Sequence, residues 1–414
     1  MSQSIESNHQ FDITIVGGGM VGISLALLLA QQKRWKVLVL ESQPINQGET
    51  PQYSPSFDAR STALSWSSRC VFEKMGIWQK IHQQAQAISS IHVSDRGHIG
   101  MTRLNAEEAN VDALGYVVEN SWLGSVLMQQ LTEEDISLKG AVKITSIEPK
   151  AQSMELAIES DGQQQLINSQ LLVVADGGDS ACAKMLGIQQ HSKAYDHSAI
   201  IANISLDQPH NKVAYERFTS QGPMALLPLT DYQNSHRCAL VWTQPSDKAD
   251  ELMASDDSVF LSQLQTDFGH RLGQFKQVGE RVSYPLALTT SEEQVRRRLV
   301  VVGNAAHSLH PVAGQGFNLS LRDIECLSQC LANQPSKTDV GELGPLLNYQ
   351  HQREKDQRNT LIFTDNLTKL FGLSSSLVAL GRNSGLLMMD LIPTLRNQFA
   401  HFGMGTKQLG ESHG

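Results

Sequence analysis

No stretch of this 414-residue chain approaches the roughly 18 consecutive apolar residues that a membrane-crossing helix needs, so nothing in it reads as a span. Positive charge is in short supply: 33 Lys and Arg stand against 42 Asp and Glu, a formal net charge of -9. That balance argues against nucleic acid as the main partner. Cysteines are few and unpaired in pattern: Cys70, Cys182, Cys238, Cys326 and Cys330 are an odd set with no Cys-x-x-Cys spacing. Cys326 and Cys330 lie one helical turn apart, but no nearby His completes a zinc set, and the five read as thiols of a reducing compartment. Met1 to Gln10 is polar and lacks the apolar core of a signal peptide, so the expected location is the cytoplasm. Internal repeats and low-complexity tracts are absent as well. What remains is 40% hydrophobic with mixed charge, the composition of a globular protein of two or three domains.

The chain opens on Phe11-Asp12-Ile13-Thr14-Ile15-Val16, a strand, followed at once by Gly17-Gly18-Gly19-Met20-Val21-Gly22. An apolar helix continues through Ile23, Leu25 and Leu27 to Leu29, and Val37-Leu38-Val39-Leu40-Glu41 closes the unit as a second strand ending in an acid. This is a dinucleotide fingerprint in its context. Gly17 allows the tight turn, Gly19 lets the backbone approach a pyrophosphate, and Gly22 permits close helix–strand packing. Glu41 sits where a carboxylate grips a ribose hydroxyl pair.

Gln47 to Phe57 reads as a loop, and Asp58 to Ser65 as the entry to a helix capped by Ser61 or Thr62. Arg60 would pair either with a phosphate or with a surface carboxylate. Ile91 to Asp95 and Gly115 to Val118 read as strands, with Asn120 or Ser121 capping the helix that follows. Val142 to Ile147, Met154 to Ile158 and Leu166-Ile167 alternate like antiparallel strands around a turn at Asp161-Gly162. The buried strand Leu171 to Val174 then ends in Asp176-Gly177, either a plain turn or a second contact to a nucleotide. From Tyr195 to Tyr284 strands at Ile200–Leu206, Lys212–Phe218, Met224–Pro228 and Cys238–Thr243 surround a helix at Asp256–Phe268, a sheet suited to face a substrate.

The stretch Gly303-Asn304-Ala305-Ala306-His307 to Gly314-Gln315-Gly316-Phe317-Asn318 organises the chain. It lies between the buried run Leu299–Val302 and a helix marked by Leu319, Leu321, Ile324, Leu327 and Leu331. A glycine loop at a helix start presents unpaired N–H groups and a positive dipole end to an anion. His307 and His310 have no third ligand, so structural hydrogen bonds are expected of them and no metal. A polar linker spans Asn333 to Gly344, a long helix Leu346 to Phe371, and the apolar end of the chain is broken by Gly372, Gly381, Gly385 and Pro393.

Taken together, Gly17-x-Gly19-x-x-Gly22, Asp176-Gly177 and the Gly303 to Gly316 stretch resemble the class A flavoprotein monooxygenases. Val117 to Asn120 and His310 to Asp323 make the chain similar, within that group, to the ubiquinone-biosynthesis hydroxylases. The resemblance implies an α/β fold in which an FAD-binding nucleotide fold with a parallel sheet is interleaved with a mostly antiparallel substrate sheet, followed by a helical C-terminus. Its domains would be 1–75, 101–190 and 282–345 for FAD, 76–100 and 191–281 for substrate, and 346–414 at the C-terminus. FAD would be held by Gly17, Gly19, Gly22, Glu41 and Arg60, with Asp176 and Gly177 touching both FAD and a transient NADH or NADPH. Asn304 would contact the ribityl chain or a phosphate, and Gly314, Gln315, Gly316 and Phe317 would meet the pyrimidine end of the flavin ring. Two positions depart from the wider group: Asn304 stands where Asp is usual, and Cys182-Ala183-Lys184 where an Arg ordinarily follows Asp-Gly.

The implied function is hydroxylation of a polyprenyl phenol in ubiquinone biosynthesis, consuming NAD(P)H and O₂. A flavin-dependent reductase of prenyl chains and a non-catalytic FAD-containing assembly subunit are the alternatives. The implied partners are that phenol, a membrane surface, at which the protein would sit peripherally, or other ubiquinone-biosynthesis proteins. The apolar segment Leu367 to Phe402 would serve lipid access. No residue identifies itself as a general base.

Overall fold

The computed structural model describes residues 8–45, 60–97, 100–134, 136–309, 314–372 and 392–406. The loop expected at Gln47 to Phe57, His310 and most of the apolar C-terminal segment lie outside them.

β1 (Asn8–Val16), α1 (Met20–Ala30) and β2 (Val37–Leu40) form the expected unit, with β1 and β2 parallel. Residues Gly22 to Leu29 of α1 are all buried, because the helix is sandwiched rather than laid on a surface. β3 (Ser61–Ser65), α2 (Trp66–Lys74), α3 (Trp78–His82), β4 (Ala85–Ile88), β5 (Ser90–Asp95), β6 (Met101–Asn105), β7 (Gly115–Glu119) and α4 (Asn120–Glu133) follow. Then come β8 (Ser137–Lys139), β9 (Lys143–Pro149), β10 (Met154–Ser160), β11 (Gln163–Val174) and α5 (Ala181–Met185). Asp161 and Gly162 turn between β10 and β11 with both φ angles positive, the geometry that an Asp-Gly hairpin favours.

The next stretch holds β12 (Gln190–Leu206), β13 (Val213–Phe218), β14 (Pro223–Pro228), β15 (His236–Pro245), α6 (Ser246–Ala254), α7 (Asp257–Phe268), β16 (Phe275–Val278) and β17 (Val282–Ser291). β18 (Val295–Arg296), β19 (Leu299–Val301), β20 (His307–Ser308), α8 (Gln315–Ala332), α9 (Leu343–Gly372) and α10 (Pro393–Met404) complete the described chain.

Three sheets result. The first runs β18-β19-β11-β1-β2-β8, parallel from β19 to β8, with the β9–β10 hairpin added on β11. The second runs β20-β17-β12-β15-β14-β13-β5-β6 and is antiparallel except at β13–β5. A small sheet β3-β7-β4 lies between them in the chain's path. Ile13, Ile15, Val37 and Val39 pack on Leu25 and Leu29 of α1 and on Leu321 and Ile324 of α8. Each such side chain taken from water contributes about 1.5–3 kcal/mol. On the second sheet Ile200, Ile204, Leu240 and Trp242 pack on Phe260 and Leu264 of α7, leaving the other face free for a cavity.

Several expectations from the sequence are corrected here. Ser61 to Ser65 is a strand, drawn into pairing with β7, and the helix begins at Trp66 with Ser65 as its cap. α4 is preceded by Glu119 as its N-cap and has no side-chain cap, and the Asn120 side-chain oxygen accepts instead from the Thr62 hydroxyl at 2.6 Å. β6 and β17 both join the second sheet, so its membership runs beyond the stretches 76–100 and 191–281. α9 begins at Leu343, inside the stretch read as linker.

Candidate functional site

The glycines of the first loop do three different things. Gly17 has φ +114°, and a Cβ on it would lie 2.2 Å from the carbonyl oxygen of Ala175. A Cβ on Gly22 would lie 1.9 Å from the carbonyl oxygen of Gly17. Both are demanded by the protein's own packing. Gly19 is different: its φ is -73° and a Cβ there would meet nothing within 4 Å. The backbone at Gly19 is therefore bare toward the cavity that it lines. Glu41 is pinned to the same loop, accepting from the Gly18 N–H at 2.7 Å through one oxygen and from the Gln43 N–H at 2.8 Å through the other.

At the other end stands the start of α8. Gly314 takes the left-handed conformation, φ +59°, and packs on Ala63 of β3. The N–H groups of this first turn precede the helix's own hydrogen-bond ladder and point out of its start, where the positive end of the helix dipole lies. Asn318 locks this turn in place. Its amide donates to the carbonyls of Ala63 and Gly314 at 2.9 and 2.7 Å, and its oxygen accepts from the Ser65 N–H at 2.9 Å and the Ser68 hydroxyl at 2.6 Å. The organising role of Asn318 was missed in the sequence, where only its place three residues after Gln315 in the motif hinted at it.

Between these two loops and the free face of the second sheet lies a cavity of about 830 Å³. Its wall brings together Gly19, Arg60, Gly177, Asn304, Gly314, Gln315, Gly316 and Phe317. Gly17, Gly22, Glu41 and Asp176 stay behind that wall. Asp176 accepts from the Cys182 N–H at 3.1 Å, and its second oxygen is buried without a partner. The Ser61 hydroxyl, on the cavity wall, is buried and unpartnered too. A bare glycine backbone, the orphaned Ser61 hydroxyl and a helix start facing one cavity, with the Glu41 carboxylate held just behind the glycine loop, fit FAD. Among the described residues Arg60 pairs with no carboxylate; its guanidinium donates to the Tyr284 hydroxyl of β17. Tyr284 gave no signal in the sequence.

Behind α8, His307 bonds Asp323 at 2.7 Å, and Asp323 accepts from Arg353 of α9 at 2.6 Å. Arg353 also pairs with Asp356, which accepts from Arg322 at 2.9 Å. Burial alone would raise the Asp323 carboxyl, but the Arg353 charge and the His307 bond hold it down at about 2. A second buried pair, Arg237 on Glu119, ties β15 of the second sheet to the end of β7. Both side chains are only 2% exposed, so neither charge is answered by water. The acid ending the buried run Gly115–Glu119 was its one trace in the sequence.

Residues 10–363 match the model of the FAD binding domain family. Ubiquinone hydroxylase UbiL of Rhodospirillum rubrum is 33% identical over 403 residues, covering 96% of this chain and 90% of that protein. The human mitochondrial ubiquinone biosynthesis monooxygenase COQ6 is 28% identical, over 95% of this chain and 92% of that one. The crystal structure of p-nitrophenol 4-monooxygenase PnpA from Pseudomonas putida DLL-E4 superposes with a TM-score of 0.77 at 16% identity, covering 96% of this chain and 99% of the other.

Proposed function

This chain belongs to the FAD binding domain family, and from that premise we propose that it is a monooxygenase of ubiquinone biosynthesis that hydroxylates the aromatic ring of a polyprenyl phenol with NAD(P)H and O₂. The observation that carries this reading is one cavity with two unlike walls. Glycine loops and a helix start form one wall, and an almost wholly apolar sheet face forms the other. The ubiquinone hydroxylases similar to it over nearly their whole length support the pathway.

When bound, FAD supplies the redox chemistry with NAD(P)H and O₂ that side chains cannot. The chain's own groups bind and orient. Gly19 and the start of α1 would hold the pyrophosphate, and Glu41 the ribose. The N–H groups of Gln315, Gly316 and Phe317, with the positive end of α8, would stabilise negative charge on the flavin ring, as an oxyanion hole does. Asn304, Arg60 and Gly177 line the path between. The apolar sheet face keeps water from the ring being oxidised. Since the sequence carries one Gly-x-Gly-x-x-Gly unit, NAD(P)H would visit the cavity transiently and have no fold of its own.

Oxygen uptake by the purified holoenzyme, given NADH or NADPH and a prenylated phenol, tests the proposal. Uptake coupled to a product heavier by one oxygen atom is expected. Saturation of prenyl double bonds without O₂ consumption, or flavin-bearing protein that turns nothing over, overturns it.

A further inference from the structure

Glu216 is out of place. It projects from the middle of β13 into the cavity. Its register partners are Val93 on β5 and Ala225 on β14, and both line the same wall. Ala214 and Phe218, two residues away on β13, and Val241 on β15 continue that apolar face. Sheet side chains alternate, so His92, Arg103 and Arg217 point the other way, while Arg237, on the face of Ala239 and Val241, lies at the start of β15 and is paired with Glu119. His92 pairs with Arg103 across β5 and β6, and Arg271 hydrogen-bonds His92 and Ser94 on that far side, where Arg217 also meets Ser94. Asp95 ends β5 buried and off the cavity wall.

The other ionisable groups on the wall, Arg60 and Tyr284, hold each other. Glu216 makes no hydrogen bond or ion pair among the described residues. A carboxyl kept without a partner in an apolar chamber costs stability, since burial disfavours its charged form. Here burial pushes it up to about 8. A fold tolerates such a group most readily when a ligand supplies the missing partner.

We propose that Glu216 engages the ring hydroxyl of the substrate, accepting its hydrogen bond and taking its proton as the ring is oxidised. This rests on the phenol reading above. The phenol O–H bond breaks, its electron pair stays on the phenol oxygen, and the proton bonds to a Glu216 oxygen. The ring is thereby made more electron-rich toward an electrophilic oxygen. As aromaticity is restored, Glu216 returns that proton to the oxygen, while the attacked carbon's own proton leaves to water.

The test compares wild-type holoenzyme with Glu216→Gln and Glu216→Asp. Binding of a short-chain 2-alkylphenol is read from the change in flavin absorbance without NAD(P)H, across pH. Turnover of the same phenol is read in parallel. In the wild type, binding should tighten and kcat/KM rise as pH increases through about 8. Glu216→Gln should keep full flavin content, show flat profiles and lose about a hundredfold in turnover. Glu216→Asp should recover the pH dependence in part.

Matching profiles in wild type and Glu216→Gln would overturn the proposal, and so would loss of flavin from Glu216→Gln, since a residue serving the substrate leaves the cofactor alone. A pH-dependent affinity that vanishes in Glu216→Gln, without hydroxylation by either protein, would support the contact and refute the monooxygenase reading. A wild type that binds no phenol at any pH would sink both.

Discussion

Gly17 and Gly19 are two positions apart and should fail in different ways. At Gly17 any side chain meets a backbone carbonyl at 2.2 Å in a conformation that L-residues avoid. Gly17→Ala should therefore cost about 1–3 kcal/mol of stability, seen as a lower urea midpoint even without FAD. Gly19 has ordinary backbone angles and open space around its missing Cβ. Gly19→Val should fold normally and bind no flavin, measured by absorbance after gel filtration; a variant that keeps its flavin would remove the pyrophosphate from this wall. Asn304 is exposed on the cavity wall, so Asn304→Asp has room and should hold FAD nearly as well as the wild type, by the same assay. These roles were legible because glycine chemistry is local: a turn, a close approach and a bare backbone each leave a mark in sequence spacing. Glu216 and Tyr284 were not, since what makes them notable is the company that distant strands bring.

At the scale of the element, α8 is held from both ends. Asn318 fastens its first turn to β3, and Asp323, two turns on, receives Arg353 from α9 and His307 from β20. Asp323→Asn takes the carboxylate charge from the buried Arg353 guanidinium, and should cost about 3 kcal/mol in urea unfolding. The sign with pH follows from the carboxyl's position. In the fold it titrates at about 2, below the roughly 3.9 of an unfolded chain. Its contribution is thus present in full above about pH 4 and is lost as pH falls through 2. The gap between wild type and Asp323→Asn should narrow over that window; a constant gap would place the helix's stability elsewhere. In the sequence α8 itself was plain from its leucine spacing, and its flanking loop from its glycines. The small sheet β3-β7-β4 was not: Ser61 to Ser65 carries cap residues, and only pairing with β7 makes it a strand.

Across the whole molecule, the cavity is where three bodies of structure meet, and the third is the C-terminal helical layer. Phe363 of α9 and Phe399 of α10 face each other with ring centroids 6.0 Å apart, and both line the cavity with Ala400, Gly403 and Met404. Ala400 and Met404 also belong to the apolar cluster formed with Leu104, Leu114 and Ala239. That layer's packing could not be read in advance, because an apolar helix at a chain end suits a core and a lipid surface alike, and the blocks 373–391 lie outside the described residues. A cavity of about 830 Å³ is of the size that ordinarily encloses one drug-sized ligand. A flavin ring, a phenol and a long polyprenyl chain together are more than one such ligand. We expect the tail of the proposed substrate to leave past α9 and α10, whose Phe363, Phe399 and Gly403 line the cavity. Gly403 is exposed, lines the cavity, and a Cβ on it would meet nothing within 4 Å. Gly403→Phe can therefore narrow this exit without disturbing the packing behind it. Flavin content and turnover of a short-chain phenol should stay at wild-type values, while KM for a long-chain prenylated phenol in detergent micelles should rise about tenfold, a loss of about 1.4 kcal/mol in binding. Equal effects on both substrates would mean that the tail leaves by another route.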